Sequence, residues 1–378
     1  MKREVYPPNV WRARLITLAF ILAVVAPARQ AMAYYKLIDL GTLGGKSSLA
    51  RSINDNSQIV GYAYDASGNY RAVLFDSTGN GKNIDLDSNR SLANSINNNG
   101  QIVGSVYDSS KKWRATLFDP TGSGKNIDLG TLGGADSQAF SINNNGQIVG
   151  IAADNSTSIR ASLFDPTSGG KNINLGTLGG EESWAQSIND NSQIVGWAED
   201  PLGRGIATLF DPTGSGNNID LGTLGGTKSW ALSMNNNGQI VGYAYDSSGV
   251  WRATLFDPTG GGKNIDFGTL SGYKYSSAYS INNTSQIVGW AVNSLGNERA
   301  TSFDPTGSGN NIDLNTLIDP GLGWTLTRAY SINDNGWIVG YGINPAGQYR
   351  AYLLIPEPAS AMTLGLGGIF FALRRSRR

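Results

Sequence analysis

The chain repeats one short pattern of polar and apolar positions seven times. In residues 52–61, SINDNSQIVG, a polar turn of Asn and Asp separates one apolar position from an Ile-Val-Gly stretch. Apolar stretches on either side of such a turn predict a tight β-hairpin. The copies begin at intervals of 43 to 51 residues, so one unit is used seven times. Their first residues are Ser52, Ser95, Ser141, Ser187, Ser233, Ser280 and Ser331.

Each unit predicts four short strands, which we name a to d. In the third unit they are expected at 138–143, 147–152, 160–165 and 172–175. An Asn-Asn-Asn-Gly turn joins a to b, and an Asp-Pro-Thr turn begins the connection from c to d. Four antiparallel strands within one repeat of this length are typical of a propeller blade.

The order of strands along the chain predicts how the array closes. The repeats begin on a strand d, at 37–40, and end on a strand c, at 350–354. A ring in which the first strand completes the last blade has no open sheet edge. We therefore predict an all-β, seven-bladed β-propeller in which 37–40 pairs with 350–354. The alternative is an open β-solenoid, which is disfavoured because its repeats are normally shorter.

Composition supports this class and excludes several functions. The chain has 50 Gly, no Cys and no His, which suits short strands joined by turns and excludes thiolate, imidazole and ordinary zinc chemistry. The formal charge is zero, but outside segments 1–33 and 374–378 there are 20 basic and 28 acidic residues, a net of −8. A nucleic-acid partner is therefore not expected.

The N-terminal segment predicts export. Basic residues precede the apolar run 15–26, and Ala31 and Ala33 form an Ala-x-Ala site. This is the pattern of a secretory signal peptide, here 1–33, used by the Sec export machinery and cut before Tyr34. An uncleaved anchor is the alternative.

The C-terminal segment, 356–378, predicts sorting at a membrane. The tripeptide Pro356, Glu357 and Pro358 precedes the apolar stretch 359–373 and an arginine cluster. This ending resembles the PEP-CTERM sorting signal of exported bacterial proteins. The resemblance implies recognition by an exosortase-type transpeptidase, which removes the tail after transient membrane anchoring. A permanent anchor is the alternative, although the apolar stretch is short for a membrane span.

The repeat body, 34–355, also resembles a known family. The motifs Ile-Asp-Leu-Gly-Thr-Leu-Gly-Gly, Ser-Ile-Asn-x-x-x-Gln-Ile-Val-Gly and Arg-Ala-Thr-Leu-Phe-Asp are similar to those of HAF-repeat extracellular proteins, over 37–354. The resemblance implies export and a repeat fold. It implies no activity for particular residues.

Three recurring features are interpreted as structural. The Asn and Asp residues between strands a and b are attributed to turns rather than calcium ligands. The Gly-Thr-Leu-Gly-Gly stretches lack the Lys-Ser/Thr ending of phosphate-binding loops. An Arg begins strand c in six repeats and is interpreted as an ion-pair partner rather than an anion-binding ring. No cofactor or metal is predicted.

Aromatic residues divide into two predicted sets. One follows Ile-Val-Gly on strand b and is expected between blades: Tyr62, Trp197, Tyr243, Trp290 and Tyr341. The other lies near the variable d–a and b–c connections, which a four-stranded meander places on one side of the disc. We expect this set to bind a ligand, because variable loops on a rigid scaffold often carry function. It comprises Trp113, Trp184, Trp230, Trp251, Tyr273, Tyr275 and Trp324.

Two function classes follow. The first is a non-catalytic protein of the cell surface or extracellular matrix that binds or organises material such as polysaccharide, with no enzymatic activity. The alternative is a propeller-type glycoside hydrolase or lyase, which needs two carboxylates roughly 5 to 10 Å apart. The unrepeated acids Glu181, Glu182 and Glu199 provide no complete catalytic group.

Overall fold

The computed structural model describes residues 34–167 and 171–357, which form seven four-stranded antiparallel sheets. The sheets follow one another around an axis, so the predicted seven-bladed β-propeller is confirmed. The signal peptide with Ala31 and Ala33, and the C-terminal segment from Pro358 onward, lie outside the described residues. Within the described part, no helix is both long and apolar enough to cross a membrane.

Each blade begins with a strand a followed by a strand b. From blade 1 to blade 7, the strands a are Gly44–Ile53, Ser91–Ile96, Gly133–Ile142, Ser183–Ile188, Gly225–Met234, Tyr275–Ile281 and Thr325–Ile332. In the same order, the strands b are Ile59–Asp65, Ile102–Tyr107, Ile148–Asp154, Ile194–Glu199, Ile240–Asp246, Ile287–Val292 and Ile338–Ile343.

The third and fourth strands complete the blades. The strands c are Tyr70–Phe75, Trp113–Phe118, Ile159–Phe164, Gly205–Phe210, Trp251–Phe256, Glu298–Phe303 and Tyr349–Pro356. The strands d of blades 1 to 6 are Ile84–Asp85, Ile127–Asp128, Ile173–Asn174, Ile219–Asp220, Ile265–Asp266 and Ile312–Asp313, and blade 7 takes Tyr35–Asp39. Two 3-10 helices, Leu314–Leu317 and Pro320–Leu322, lie between blades 6 and 7.

Blade 7 is built from both ends of the repeat body. Tyr35–Asp39 pairs antiparallel with Tyr349–Pro356, and Leu37 lies opposite Leu354. The register continues to Pro356, opposite Tyr35, and the Glu357 amide donates to the Tyr34 carbonyl at 2.8 Å. The predicted closure is therefore confirmed. Two of the three residues of the proposed sorting motif belong to, or directly follow, the closing sheet.

The core lies between neighbouring blades. Seven buried apolar clusters each take side chains from two adjacent blades; the cluster between blades 1 and 2 includes Val60 and Ile102. Because successive side chains of a strand point to opposite faces, the repeated Ile and Val serve two different interfaces. The Gly that follows Ile-Val is required because the neighbouring strand a leaves no room for a side chain. A Cβ at Gly196 would lie 1.9 Å from the carbonyl oxygen of Trp184 in strand a.

The a–b turns form a closed ring of hydrogen bonds around the axis. Strand a is innermost, since each contacts strand a of both neighbouring blades. In every blade the Asn after Ser-Ile donates its Nδ2 to the carbonyl oxygen of the equivalent Asn in the next blade, at 2.8 to 3.1 Å. The next residue continues the pattern with a backbone N–H to a side-chain oxygen. These turns enclose a cavity of about 180 Å³.

In five blades the Arg near the start of strand c pairs with an acid of its own blade, whereas Arg350 of blade 7 donates to Gln348. Arg71 contacts Asp65 at 2.8 Å and Asp85 at 3.1 Å. The side chains of Arg71, Asp65 and Asp85 are 23%, 15% and 37% exposed, so water partly screens their charges. This arrangement is that of structural ion pairs rather than of an anion-binding ring.

Strand boundaries differ from the predicted ones mainly at the start of strand a. In blade 3 this strand begins at Gly133, five residues before its predicted start, because Gly133 pairs with Asp154 at the end of strand b. A register shift between Gly133 and Ser137 interrupts the pairing. The Gly-Gly of the Gly-Thr-Leu-Gly-Gly stretch therefore begins a strand here.

Candidate functional site

A cavity of about 680 Å³ opens on the d–a/b–c face, across blades 6, 7 and 1. Its lining comes from strands a and b of blades 7 and 1, from the b–c connection of blade 6 and from the starts of strands c in blades 6 and 7. The b–c connections vary between repeats, whereas the near-identical a–b turns lie at the other end of the blades. We call this space the tyrosine cavity, after the residues Tyr62, Tyr64, Tyr330, Tyr341 and Tyr349.

An ion pair lies in the wall of the tyrosine cavity. Arg328 donates from Nε to Glu298 Oε2 at 2.8 Å and from a terminal nitrogen to Glu298 Oε1. The side chains are only 24% and 18% exposed, so the bidentate pair is fixed in a partly dehydrated position. The Tyr341 hydroxyl also donates to Glu298 Oε2, at 3.3 Å. On its other side, the Arg328 guanidinium lies 4.2 Å from the centre of the Trp290 ring.

The surroundings of the pair keep both donors protonated. Burial opposes the charge of Arg328, but its hydrogen bonds to Glu298 and the nearby Tyr330 and Tyr341 hydroxyls raise the pKa of Arg328 above its usual value. Burial raises the pKa of Tyr341 well above its ordinary value of 10. Arg328 is therefore a cation and Tyr341 a hydrogen-bond donor throughout the physiological range.

The repeat positions of Glu298 and Arg328 carry uncharged residues in the other blades. The equivalent positions in the other blades are identified from strand pairing. Glu298 lies opposite Val292 of strand b, and Arg328 lies opposite Tyr341 of strand b. At the position of Glu298 the other blades have Tyr70, Trp113, Ile159, Gly205, Trp251 and Tyr349. At the position of Arg328 they have Leu49, Leu92, Gln138, Trp184, Trp230 and Ser277. The ion pair is thus specific to the contact between blades 6 and 7.

A longer connection precedes blade 7 and changes its inner strand. The interval from Ser280 to Ser331 is the longest, at 51 residues, and it contains the two 3-10 helices. Thr325–Ile332 has a register shift between Leu326 and Arg328, in addition to the shift near Ala329 found at the same place in the other blades. Such bulges redirect side chains locally. The long interval between Ser280 and Ser331 is the feature of the sequence that could have located this site.

The predicted ligand-binding aromatics lie elsewhere on the same face and are half-buried. Trp184 and Trp230 belong to strands a, where Trp184 stacks on Trp197 at 5.8 Å and Trp230 on Tyr243 at 4.9 Å. In blades 4 and 5, members of the two predicted aromatic sets therefore pack against each other. Contrary to the expectation for strand-b aromatics, Tyr62 and Tyr341 line a cavity.

The remaining members of the predicted ligand-binding set are dispersed. Trp251 stacks on Tyr275 with ring centres 3.9 Å apart, and Trp113 contacts Tyr107 at 5.3 Å. Tyr273 lies in the d–a connection before blade 6, where its amide donates to Leu270. Trp324 packs against the core between blades 6 and 7. None of the seven predicted residues lines the tyrosine cavity, and ligand binding by them stays a prediction.

Among the residues that the structure describes, the lining of the tyrosine cavity does not contain the carboxylate pair that a glycosidase mechanism requires. Glu298 is the single carboxylate among the described residues that line the tyrosine cavity. In blade 4, a Glu199 carboxylate oxygen accepts from the amides of Glu181 and Glu182 at 3.1 and 3.2 Å. Glu199 therefore organises the d–a connection of its own blade.

Comparison with known proteins gives a likeness of fold only. No family model matches the chain, and no curated protein matches it. Similar solved structures include a gluconolactonase from Xanthomonas campestris, at 10% identity, covering 87% of this chain and 93% of that one, with a TM-score of 0.42. A second is a protein assigned as TolB from Agrobacterium tumefaciens, at 12% identity, covering 87% and 99% of the two chains, with a TM-score of 0.42.

The expectation that the protein is not an enzyme is corrected by this comparison. It was drawn from the lack of His and Cys and of a recognisable catalytic group, yet one of the similar structures is an enzyme, the gluconolactonase. The exclusion of catalysis therefore does not hold. At this identity no residue or reaction is transferred to the chain.

Proposed function

We propose that the protein is exported and acts at the cell surface or in the extracellular matrix, where its d–a/b–c face binds a polysaccharide. The observation that carries the proposal is the tyrosine cavity with its unrepeated Glu298–Arg328 pair. At each of these two positions the six other blades have an uncharged residue, and the departure from the repeat coincides with a cavity large enough for a small ligand.

The lining of the cavity suits sugar rings. Five tyrosines present apolar ring faces together with hydroxyl groups, so one wall can both stack on a sugar and hydrogen-bond to it. The ion pair adds carboxylate acceptors and guanidinium donors that are already fixed in place. Arg299 also contributes to the lining, and its charge is compensated by Asp313 at 3.8 Å.

The export part of the proposal rests on the terminal segments and on where they join the body. Tyr34 and Glu357, the described residues next to the two segments in sequence, are hydrogen-bonded to each other. This arrangement is compatible with processing of both segments at one membrane. Deletion of 356–358 should alter the cellular fraction in which a tagged protein accumulates; an unchanged distribution would contradict the sorting role.

Binding is tested with a panel of neutral and acidic polysaccharides and two matched tyrosine variants. Tyr349 lines the cavity and is 52% exposed, whereas Tyr34, at the outer edge of blade 7, is 48% exposed. Tyr349→Ala should weaken binding of the retained polysaccharide by about tenfold. Tyr34→Ala should bind as the unmodified chain does. Equal affinities for the two variants would exclude the tyrosine cavity as the binding site.

A further inference from the structure

A second, smaller cavity lies between blades 5 and 6, beside the tyrosine cavity. Its volume is about 230 Å³, and all of its lining residues are uncharged. We call it the aromatic slot. Blade 5 contributes Tyr243, Tyr245 and Trp251, and blade 6 contributes Ser277, Tyr279 and Trp290.

The slot lies where blade 6 has a small residue in place of a larger one. Ser277 lies opposite Trp290, at the position that Trp184 and Trp230 occupy in blades 4 and 5. There the strand-a indole stacks on the strand-b aromatic, as Trp230 does on Tyr243. Blade 6 has no ring at this position, and the slot beside it is lined mainly by aromatic side chains.

Two polar atoms of the lining residues, Ser277 Oγ and Trp290 Nε1, are buried behind the wall of the slot and make no hydrogen bond within the described chain. Ser277 is only 2% exposed, so its hydroxyl does not open onto the slot. The surface that the slot offers to a ligand is therefore mainly aromatic.

The slot and the tyrosine cavity share a wall. Tyr279 of the slot contacts Tyr330 of the cavity edge to face, with ring centres 5.0 Å apart. Trp290 of the slot carries the Arg328 guanidinium on its ring. One linear ligand could therefore occupy both spaces with consecutive units.

We propose that the aromatic slot is a subsite for one neutral sugar ring of the saccharide whose neighbouring unit occupies the tyrosine cavity. The inference rests on the proposed function and specifies it. Stacking on aromatic side chains suits the apolar faces of a hexose. A charged ring is disfavoured in the slot, since no lining group of opposite charge compensates its dehydration.

The test uses the full chain labelled with 5-fluorotryptophan and observed by ¹⁹F NMR, with signals assigned through Trp251→Phe and Trp290→Phe. The probes are the linear hexasaccharides of cellulose, laminarin and mannan, and methyl glucoside. A hexasaccharide that binds should shift the Trp251 and Trp290 signals. Ser277→Trp, which copies blades 4 and 5, should abolish these shifts. Ser277→Ala is the matched control, because it removes a buried hydroxyl and leaves the slot unfilled. Ser277→Ala should bind as the unmodified chain does.

The outcomes separate the two proposals. Binding that depends on Tyr349 but leaves the Trp251 and Trp290 signals unmoved, and is unaffected by Ser277→Trp, would overturn the slot and leave the proposed function standing. Absence of binding to every polysaccharide and hexasaccharide, acidic or neutral, would overturn both.

Discussion

Asn333 of blade 7 donates its side-chain Nδ2 to the backbone carbonyl of Asn54 in blade 1, at 3.0 Å across 279 residues of sequence. This bond completes the ring that the equivalent asparagines form around the axis. The Asn333 Oδ1 also accepts from the amides of Asn335 and Trp337, at 3.1 and 2.9 Å. One buried side chain therefore shapes its own turn and joins the last blade to the first.

Asn333→Ala should lower the free energy of unfolding by about 2 to 3 kcal/mol, because it leaves buried backbone groups without partners. The control is Asn335→Ala, which removes an exposed hydrogen bond to the Asp55 carbonyl and should have an effect below about 1 kcal/mol. Urea unfolding followed by tryptophan fluorescence measures both. Equal losses would show that the ring adds nothing beyond an ordinary surface contact.

Gly196→Ala should destabilise the protein by at least about 3 kcal/mol, since its Cβ would overlap the Trp184 carbonyl. Gly203→Ala is the control for backbone strain. Gly203 has a φ of +70° but open space around it, so this variant should lose only about 1 kcal/mol of unfolding free energy. Thermal unfolding of the two variants gives the comparison. A smaller loss for Gly196→Ala than for Gly203→Ala would contradict the packing described for strands a and b.

A double-mutant cycle of Glu298→Gln and Arg328→Met should give a coupling energy of about 1 to 3 kcal/mol, because the pair is partly dehydrated and bidentate. Arg114 and Asp128 form a reference pair at 3.0 Å in which the carboxylate side chain is 53% exposed. The same cycle on that pair should give less than about 1 kcal/mol. Indistinguishable coupling energies would indicate that the cavity wall is not preorganised by its ion pair.

Acid should destabilise the protein in a defined range of pH. Hydrogen bonds from Ser156 and the Arg160 guanidinium lower the pKa of Asp154 from 3.8 to about 2. Because the folded pKa is below the unfolded one, this stabilisation is complete above about pH 4 and is lost as pH falls toward 2. Urea midpoints measured from pH 7 to pH 2 should therefore fall below pH 4. The urea midpoint of Asp154→Asn should fall less steeply below pH 4. If it falls as steeply as that of the unmodified chain, other groups cause the acid sensitivity.

A disulfide across the closing sheet should strongly stabilise the ring. Lys36 and Ile355 are direct partners on adjacent strands, and the chain has no cysteine to compete. Oxidation of the Lys36→Cys, Ile355→Cys double variant should raise the free energy of unfolding by about 3 to 5 kcal/mol, because it closes a very long loop. The reduced form of the same variant is the control. A midpoint that does not change on oxidation would mean that the closing strands do not limit unfolding.

The fold was predictable because its determinants repeat. The Asn-rich turn, the Ile-Val-Gly strand and the offset between the first strand d and the last strand c each follow from local pattern. Strand a was placed too late in blade 3 because pairing of Gly133 depends on Asp154, a contact that the Gly-Thr-Leu-Gly-Gly stretch does not indicate by itself.

The candidate site was less predictable because it depends on departures from the repeat. Glu298 and Arg328 are 30 residues apart and belong to different blades, so no local motif joins them. Ser277 is a small residue whose importance appears only when Trp184 and Trp230 are placed at the same register. The aromatic residues are conspicuous in the sequence, whereas the cavities form where charged residues or a small side chain depart from the repeat.

Closure of blade 7 also sets an order in time. Its outer strand, Tyr35–Asp39, is the first part of the body to be synthesised, and its partner, Tyr349–Pro356, is the last. The first strand must therefore wait, unpaired, until nearly the whole body has emerged. A chain that lacks Tyr349–Pro356 can form the internal blades but leaves Tyr35–Asp39 unpaired. Blade 7 can therefore form only when the repeat body has been synthesised to its last strand.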